Sequence, residues 1–310
     1  MSGSGSTRGA WLALVVVQVL FASNAIVGRL VLQTVPAGLL VFCRVVGAAG
    51  AFLLLNAARG GPWIRDRRTL LHVALCGLLG VTGNQTLFVF GLSHTTAINA
   101  TILTTTAPVF TVLGAVLLGQ ERPSAAKLGG IALAGAGAVY LVGPDRLSFA
   151  PGVAFGNLLI LLAMVCYAGY FLLSKPLLRR LDAITTSTYI MAFATLGVVP
   201  FGWTGFDGAT GGVISPVTWG LVGFIVLFPT ILAYLLNLWA LRRVSPQTVA
   251  SFIYLQPLLA ALVSTLVLPD EGISPRTLVA GLAIFAGLGL VIRAERREAS
   301  PAGLGAAGVE

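Results

Sequence analysis

Charged residues are rare inside the long apolar runs of this sequence, and those that occur there are the first candidates for chemistry. Arg44 lies in the middle of the run at 36–57, and Arg29 lies near the end of the run at 9–31. A buried guanidinium needs a carbonyl, a polar side chain or a bound anion as its partner. Arg44 is therefore a candidate for binding a substrate carboxylate, with a structural lock between two helices as the alternative. Arg29 can instead extend its side chain toward water.

Acidic residues are assigned only to connections and tails, Glu295 among them, so we expect no proton relay through an embedded carboxylate. His94 is the candidate relay because imidazoles titrate near neutral pH, with an ordinary polar residue of an outer loop as the alternative. Glu121, at a helix end, is a second candidate. We expect no metal and no cofactor, because the two histidines are far apart and no phosphate-binding glycine motif is present.

Polar and aromatic residues recur at helical spacing within several apolar runs. Each is a candidate to bind a substrate in a central, water-filled cavity, and hydrogen bonding between helices is the alternative for each. Aromatic walls with few fixed charges suit a zwitterionic or amphipathic molecule, whereas a phosphate calls for several Lys or Arg side chains. The candidates, besides Arg44, are Asn24, Asn84, Gln85, Asn99, Tyr167, Tyr170, Tyr234, Asn237 and Tyr254.

Ten apolar runs position these residues. They span 9–31, 36–57, 69–91, 94–118, 125–143, 152–175, 183–204, 215–240, 246–268 and 276–293, and we number them spans 1 to 10. Hydrophobic residues make up 57% of the 310 residues and charged residues only 9%, whereas soluble domains carry about 25% charged residues. Each run reaches the ~20 residues that cross a bilayer. The sequence therefore predicts an all-α membrane protein of ten transmembrane helices.

The distribution of Lys and Arg predicts the orientation of these spans. With the N-terminus in the cytoplasm, fifteen of the 19 basic residues fall in cytoplasmic segments, as the positive-inside rule requires. Both termini are then cytoplasmic, in a bacterial inner membrane. The net charge of +9 is spread over short connections, so we expect the lipid bilayer and no nucleic acid as a partner.

An internal repeat divides the chain into two halves, 9–147 and 148–293, flanked by a flexible tail at 1–8 and a disordered tail at 294–310. The segment from Leu92 through Pro108 to Gly119 parallels the segment from Leu241 through Pro257 to Asp270. Each half holds five spans, and an odd number inverts the second half relative to the first. Inverted repeats are typical of secondary transporters, which bind substrate near the midplane.

Two features recur at matching positions of the halves. Pro108 and Pro257 each remove a helical hydrogen bond, which predicts a kink in spans 4 and 9 and, alternatively, a gating bend. Spans 5 and 10 each carry a stripe of small residues, including Gly129, Gly137, Gly281 and Gly289. Such stripes allow close helix packing, so we expect a monomer, with a homodimer through spans 5 and 10 as the alternative.

The stretch from Leu92 to Gly137 resembles the EamA-like domain of the drug/metabolite transporter superfamily, and the stretch from Ala240 to Gly289 resembles a second copy. The features are the Leu-x-x-Thr-x-Ala entry to span 4, the proline within the span, the Gly-x-Glu exit and the glycine-rich span 5. The second copy departs from this pattern at Leu268-Pro269-Asp270-Glu271. The resemblance implies an exporter or exchanger in which spans 1–4 and 6–9 line a cavity.

We therefore expect a secondary transporter, without ATP, that exports or exchanges small metabolites by alternating access. Aromatic or other apolar amino acids are the first hypothesis for the substrate. A multidrug or other metabolite transporter of the same superfamily, and a membrane scaffold that transports nothing, are the alternatives. An enzyme is not expected, because no paired acids or metal-binding motif occupies the spans.

Overall fold

Helices form all the regular structure in the part of the chain that the computed structural model describes, which is residues 3–95, 97–120, 124–143, 145, 147–148, 150–209, 214–259, 262 and 275–298. The uninterrupted spans are Gly3–Val31 (span 1), Ala37–Ala58 (span 2), Ala125–Val142 (span 5), Pro151–Leu177 (span 6), Ala183–Ala209 (span 7) and Pro275–Glu298 (span 10). The side chain of Arg29 and the residues Glu121, Asp270 and Glu271 lie outside the described part.

Four spans are interrupted, and the interruptions come in matching pairs. Span 3 consists of Arg67–Gly77, a π-helical segment Leu78–Gly83 and Asn84–Ser93. Span 8 repeats this plan with Pro216–Ile225, a π-helical segment Val226–Leu232 and Ala233–Leu241. Span 4 consists of Ala97–Thr104 and Ala107–Leu117, and span 9 begins as Pro246–Ser251, tightens to a 3₁₀ turn at Phe252–Tyr254 and continues to residue 259.

Nine helices of the described part are long and apolar enough to cross a membrane. They coincide with nine of the ten predicted spans, and the remainder of span 9 lies outside the described residues. The prediction of an all-α membrane protein is confirmed.

Helix packing follows the repeat. Span 2 packs on span 7 and span 5 on span 10, while span 3 packs on span 6 and span 8 on span 1. A twofold axis that exchanges span 1 with 6 and span 3 with 8 leaves this set of pairs unchanged. The pairing is therefore the one that two inverted halves produce.

The bundle has two polar ends. We call the end that carries Arg59, Lys127, Lys175 and Glu295 the basic end, and the other, which carries His94 and the Ser148 loop, the opposite end. A serine caps the first turn of spans 5, 8 and 9 by accepting a backbone N–H, which explains where these helices begin.

The first and last helices extend into the predicted tails at the two ends of the chain. The first helix begins at Gly3 rather than at residue 9, and the last continues to Glu298 rather than ending at residue 293. The guanidinium of Arg296 lies 4.3 Å from the ring centroid of Trp11, which joins the two ends of the chain. Residues 294–298 are therefore ordered helix and not part of a tail.

Candidate functional site

The centre of the bundle holds an aromatic cluster formed by Tyr167, Tyr170, Phe171 and Tyr234. The ring centroids of Tyr167 and Phe171 lie 4.4 Å apart, and those of Tyr170 and Tyr234 lie 6.2 Å apart. All four side chains are buried. The first three share one face of span 6, as their helical spacing predicts, whereas Tyr234 reaches them from span 8. In this structure the aromatic side chains pack against one another instead of lining the open, water-filled cavity that we predicted.

Tyr234 joins the aromatic cluster to span 3. Its hydroxyl donates to the carbonyl oxygen of Gly80 at 3.2 Å and accepts a hydrogen bond from Nε2 of Gln85 at 3.0 Å. Gly80 belongs to the π-helical segment, and a Cβ there would overlap the ring of Tyr170. A glycine is thus required where span 3 meets the aromatic ring.

Three buried polar atoms around the cluster have no hydrogen-bond partner among the described residues. They are the hydroxyl of Tyr170, Oε1 of Gln85 and Oδ1 of Asn237. Because the Tyr234 hydroxyl is already donating to Gly80, it must accept from the amide nitrogen of Gln85, and this assigns the free end of Gln85 as an oxygen. An unsatisfied buried polar group costs about 1–3 kcal/mol, so one donor and two acceptors are available to a polar ligand.

Arg44 lies beside this group of polar atoms. Its side chain is 9% exposed, and Nε donates to Oγ1 of Thr230 at 3.1 Å. Thr230 lies in the π-helical segment of span 8 and donates in turn to the carbonyl oxygen of Ile225, five residues earlier, at 2.8 Å. Arg44 also interacts electrostatically with Tyr234. The structure brings Arg44 to the same core region as Gln85 and Tyr234 and gives it a structural partner in Thr230, and its role in substrate binding stays a prediction.

The two π-helical segments were not predicted from the sequence. Each widens the helix by one residue per turn and carries a group that reaches the core, the Gly80 carbonyl in span 3 and the Thr230 hydroxyl in span 8. Such segments are frequent at functional sites. Pro229 in span 8 was a visible signal of an irregular helix, but span 3 contains no proline.

Both spans with a predicted proline kink are irregular directly before the proline. Span 4 breaks at Thr105–Thr106, directly before the turn that contains Pro108, and the hydroxyls of these threonines bond carbonyls three residues earlier. Span 9 forms its 3₁₀ turn directly before the helical turn of Pro257. Both prolines are buried, and their role in gating stays a prediction.

Three predicted amides lie elsewhere. Asn84 donates to the carbonyl oxygen of Ala163 at 2.9 Å, which ties span 3 to span 6. Asn99 is fully buried at the opposite end and bonds both the carbonyl oxygen and the N–H of Ser148. Asn24 is half-buried on span 1, and its Oδ1 has no partner among the described residues. The contacts of Asn84 and Asn99 are those of the alternative interpretation, hydrogen bonds that fix helices and loops.

Tyr254 borders a groove that is separate from the aromatic cluster. Its ring belongs to the hydrophobic core, but its hydroxyl lines a groove of about 450 Å³ between spans 4 and 5, together with Thr105, Thr106 and Gly135. The apolar rim of this groove is exposed on the outer surface of the bundle, where Leu113 is 53% exposed. Tyr254 thus separates the core from the lipid-facing side.

His94 lies exposed at the opposite end. Its Nδ1 is 2.8 Å from the carbonyl oxygen of Phe90, and its ring meets the ring of Phe155 edge-on at 5.6 Å. Neither neighbour belongs to the aromatic cluster. The position matches the outer-loop interpretation of His94.

Two charged residues, one of which the sequence analysis assigned to a tail, face each other between helices: Lys127 is buried and Glu295 is half-buried. Lys127 of span 5 is 1% exposed, and its Nζ lies 3.5 Å from Oε2 of Glu295 on span 10. The expectation that every acidic residue lies in a connection or tail is therefore wrong for Glu295. The error came from the string Arg293–Glu298, whose charges resemble a solvated tail in the sequence.

The small-residue stripes of spans 5 and 10 pack on each other within one chain. A Cβ on Gly130 would lie 2.6 Å from the carbonyl oxygen of Gly287, so glycine is needed at this crossing. Gly137 likewise faces span 10, whereas Gly129 and Gly289 have open space beside them. Close packing of the two spans thus accounts for the part of the stripe that includes Gly137.

Comparison with known proteins identifies the family. The sequence pattern of the EamA-like transporter family matches residues 7–143 and again residues 154–293. The chain belongs to this family. It is an integral membrane transporter, with ten helices in two inverted halves of five.

Relatives of this EamA-like transporter come from bacteria, an archaeon and a plant. It is 31% identical over 262 residues to a probable terminal-alkyne amino-acid exporter of Streptantibioticus cattleyicolor, covering 82% of this chain and 85% of that protein. It is 26% identical over 266 residues to the uncharacterised transporter YetK of Bacillus subtilis, covering 84% and 80%. It is 30% identical over 194 residues to an uncharacterised transporter of Archaeoglobus fulgidus, covering 62% and 66%.

A solved crystal structure has the same fold. It superposes with a TM-score of 0.78 over 94% of this chain and 99% of that chain. The sequences are 20% identical, so the likeness establishes the fold alone.

Proposed function

We propose that this EamA-like transporter exports or exchanges small zwitterions, with aromatic or other apolar amino acids as its substrates. The observation that carries this proposal is the combination of unsatisfied groups around the aromatic cluster. One hydroxyl donor, two amide oxygens and one guanidinium surround a set of aromatic rings. The relative from Streptantibioticus cattleyicolor, named as a probable amino-acid exporter, adds support.

The chemistry of these groups matches the two charges of an amino acid. An ammonium group has three donors and no acceptor, so it suits Oε1 of Gln85 and Oδ1 of Asn237. A carboxylate accepts hydrogen bonds, so it suits the guanidinium of Arg44 and the hydroxyl of Tyr170. The rings of Tyr167 and Phe171 offer apolar surface to the side chain of the substrate.

Alternating access follows from the same core. Spans 3 and 8 carry the π-helical segments and spans 4 and 9 the proline kinks, so each half has the same two irregular helices. Irregular helices bend where regular ones resist, because their hydrogen-bond ladder is already broken. We infer that movements at Pro108 and Pro257 open the site to one side of the membrane at a time.

The orientation follows from the basic residues. We infer that the basic end faces the cytoplasm of a bacterial cell, with both termini on that side. Reporter fusions after Arg68, Arg180 and Arg297 should report the cytoplasm, and fusions after Arg146 and Asp207 should report the outside. A single reporter on the other face contradicts the inverted arrangement of the spans.

The decisive experiment is counterflow in liposomes. The purified protein is reconstituted with internal unlabelled amino acid, and uptake of labelled phenylalanine, leucine, a nucleoside and a cationic drug is measured at equal internal and external pH without a membrane potential. We expect exchange of the amino acids. Exchange of the drug alone would favour the multidrug alternative, and exchange of none of them would reject the proposal.

Arg44 sharpens this experiment. Arg44→Ala should leave folded protein near the wild-type amount and raise the half-saturation concentration of a carboxylate-bearing substrate about ten- to hundredfold. The amine analogue that lacks the carboxylate should be affected less. Thr230→Val is the matched control, because it removes the structural partner of Arg44 and leaves the guanidinium. Loss of folded protein in Arg44→Ala with unchanged substrate preference would make Arg44 a structural lock.

A further inference from the structure

The Glu295 carboxylate at the basic end accepts hydrogen bonds from the first turn of span 9. The backbone N–H of Ser245 donates to Oε1 at 2.8 Å, and the hydroxyls of Ser245 and Thr248 each donate to Oε2 at 2.6 Å. Ser245 is itself the N-cap of span 9 and accepts from the N–H of Thr248. Glu295 therefore acts as a second cap, supplied by another helix, at the end of span 9 where a negative charge is most favourable.

Lys127 holds this carboxylate from the other side. Its Nζ lies 3.5 Å from Oε2 of Glu295, and its side chain is 1% exposed. A fully buried ammonium requires a counter-charge. Spans 5 and 10, which the family resemblance places outside the cavity, are in this way connected to span 9.

The connection between spans 8 and 9 is held on both sides. Nζ of Lys175 on span 6 donates to the carbonyl oxygens of Leu241 and Val244, at 2.6 Å each, where span 8 ends. Glu295 binds the next residue, Ser245, where span 9 begins. A cation thus complements the last turn of one helix and an anion the first turn of the next.

We propose that Glu295, supported by Lys127, is a positioning residue that sets where span 9 begins and so places its 3₁₀ turn, Tyr254 and Pro257 against the core. The movement of span 9 in the transport cycle, which rests on the proposed function, breaks or remakes these hydrogen bonds. Glu295 touches no substrate in this scheme, so it controls the rate of exchange and not the affinity.

The test measures span 9 directly, by deuterium uptake of residues 245–251 in the detergent-purified full chain. In Glu295→Gln we expect uptake about tenfold faster than in wild type, because the first turn loses a charged acceptor. Arg297→Gln, which removes an exposed charge two residues away, is the control and should match wild type. Unchanged uptake in Glu295→Gln overturns the proposal.

Two double variants separate positioning from simple stabilisation. K127M/E295M should recover thermal stability, because apolar side chains replace a buried ion pair well, while uptake at 245–251 stays fast. K127E/E295K restores opposite charges, but a lysine at position 295 accepts no hydrogen bond from Ser245, so uptake again stays fast. Return of wild-type uptake in either variant overturns the proposal.

Counterflow supplies the second readout. The folded variants that lack the cap should show a maximal exchange rate about tenfold lower with an unchanged half-saturation concentration. A tenfold change is the size expected if the free-energy barrier to the movement of span 9 rises by about the free energy of one hydrogen bond to a charged group. A wild-type exchange rate in K127M/E295M overturns the role in transport. Deuterium uptake needs no substrate, so the positioning of span 9 is decided even if the protein exchanges none of the amino acids tested.

Discussion

The first turns of span 4 and span 9 occupy equivalent places in the two halves, yet different chemistry holds them. At span 4, Asn99 and Asn157 bond the backbone of the Ser148 loop, with distances of 2.7–3.0 Å. At span 9, the carboxylate of Glu295 accepts three hydrogen bonds and faces Lys127. In the first half, the loop that follows the fifth span returns to the start of the fourth span, and in the second half the last turn of the fifth span does so. Both halves therefore have a contact at the start of the fourth span, made by amides in the first half and by an ion pair in the second.

The difference bears on the two ends of the transporter. Hydrogen bonds between neutral groups contribute about 0.5–1.5 kcal/mol each, and those to charged groups about 1.5–3 kcal/mol. The basic end is therefore held more strongly at span 9 than the opposite end is at span 4. The proposed transport cycle would therefore break stronger bonds at the start of span 9 than at the start of span 4.

The largest effect is expected at the charged contact. Glu295→Ala should destabilise the protein by about 3–5 kcal/mol, because the positive charge of Lys127 stays buried. Thermal unfolding in detergent, followed by size-exclusion chromatography, measures this loss. A loss no greater than that of Asn99→Ala, the neutral contact at the opposite end, would mean that the two ends are held alike.

The neutral contact should be weaker. Asn99→Ala should cost about 1–3 kcal/mol, because the N–H of Ser148 loses its acceptor inside the bundle. Asn157→Ala serves as the partner in a double-mutant cycle, since Asn99 Nδ2 donates to its Oδ1 at 2.9 Å. Additive losses in the double variant would show that the two amides do not act as one network.

A titration distinguishes the two ends. Burial raises the pKa of Asp182 at the basic end, but hydrogen bonds from Thr185 and the Arg59 guanidinium outweigh burial and leave this pKa below its ordinary value. The folded state thus binds the proton less tightly than the unfolded state, whose pKa is about 3.9. The stabilisation is present above about pH 4 and lost as the pH falls through the lower folded pKa. Arg59→Gln should reduce the difference in thermal stability between pH 6 and pH 3, whereas Asn99→Ala should leave it unchanged.

The smallest effect is expected at His94. His94→Ala removes an exposed ring at the opposite end and should change stability by about 0.5 kcal/mol or less. Counterflow at matched pH should continue at the wild-type rate. If uptake instead requires a proton gradient and His94→Ala abolishes this uptake, His94 is the proton relay.

The candidate site was predictable in part. The spacing of Tyr167, Tyr170 and Phe171 on one helix face is a local property, so the part of the aromatic cluster on span 6 was predictable, whereas the contact with Tyr234 of span 8 was not. The amides that face the cluster could not be predicted, because their position depends on packing between distant helices. Gln85 and Asn237 meet the cluster, whereas Asn99 bonds a loop about fifty residues further along the chain. An amide looks the same in the sequence whether it binds a ligand or another helix.

The sequence alone predicts the ten spans, their inverted repeat and irregular helices near Pro108 and Pro257, because hydropathy, helical period and the missing N–H of proline act within a few residues of the chain. Three features could be seen only in the folded molecule: the burial of Lys127 against the half-buried Glu295, the position of Tyr254 beside a lipid-facing groove, and the π-helical segments of spans 3 and 8. These features depend on partners from distant helices. Glu295 lies fifty residues from Ser245, and its charge is tolerated in the bundle because the helix start, two hydroxyls and Lys127 converge on it.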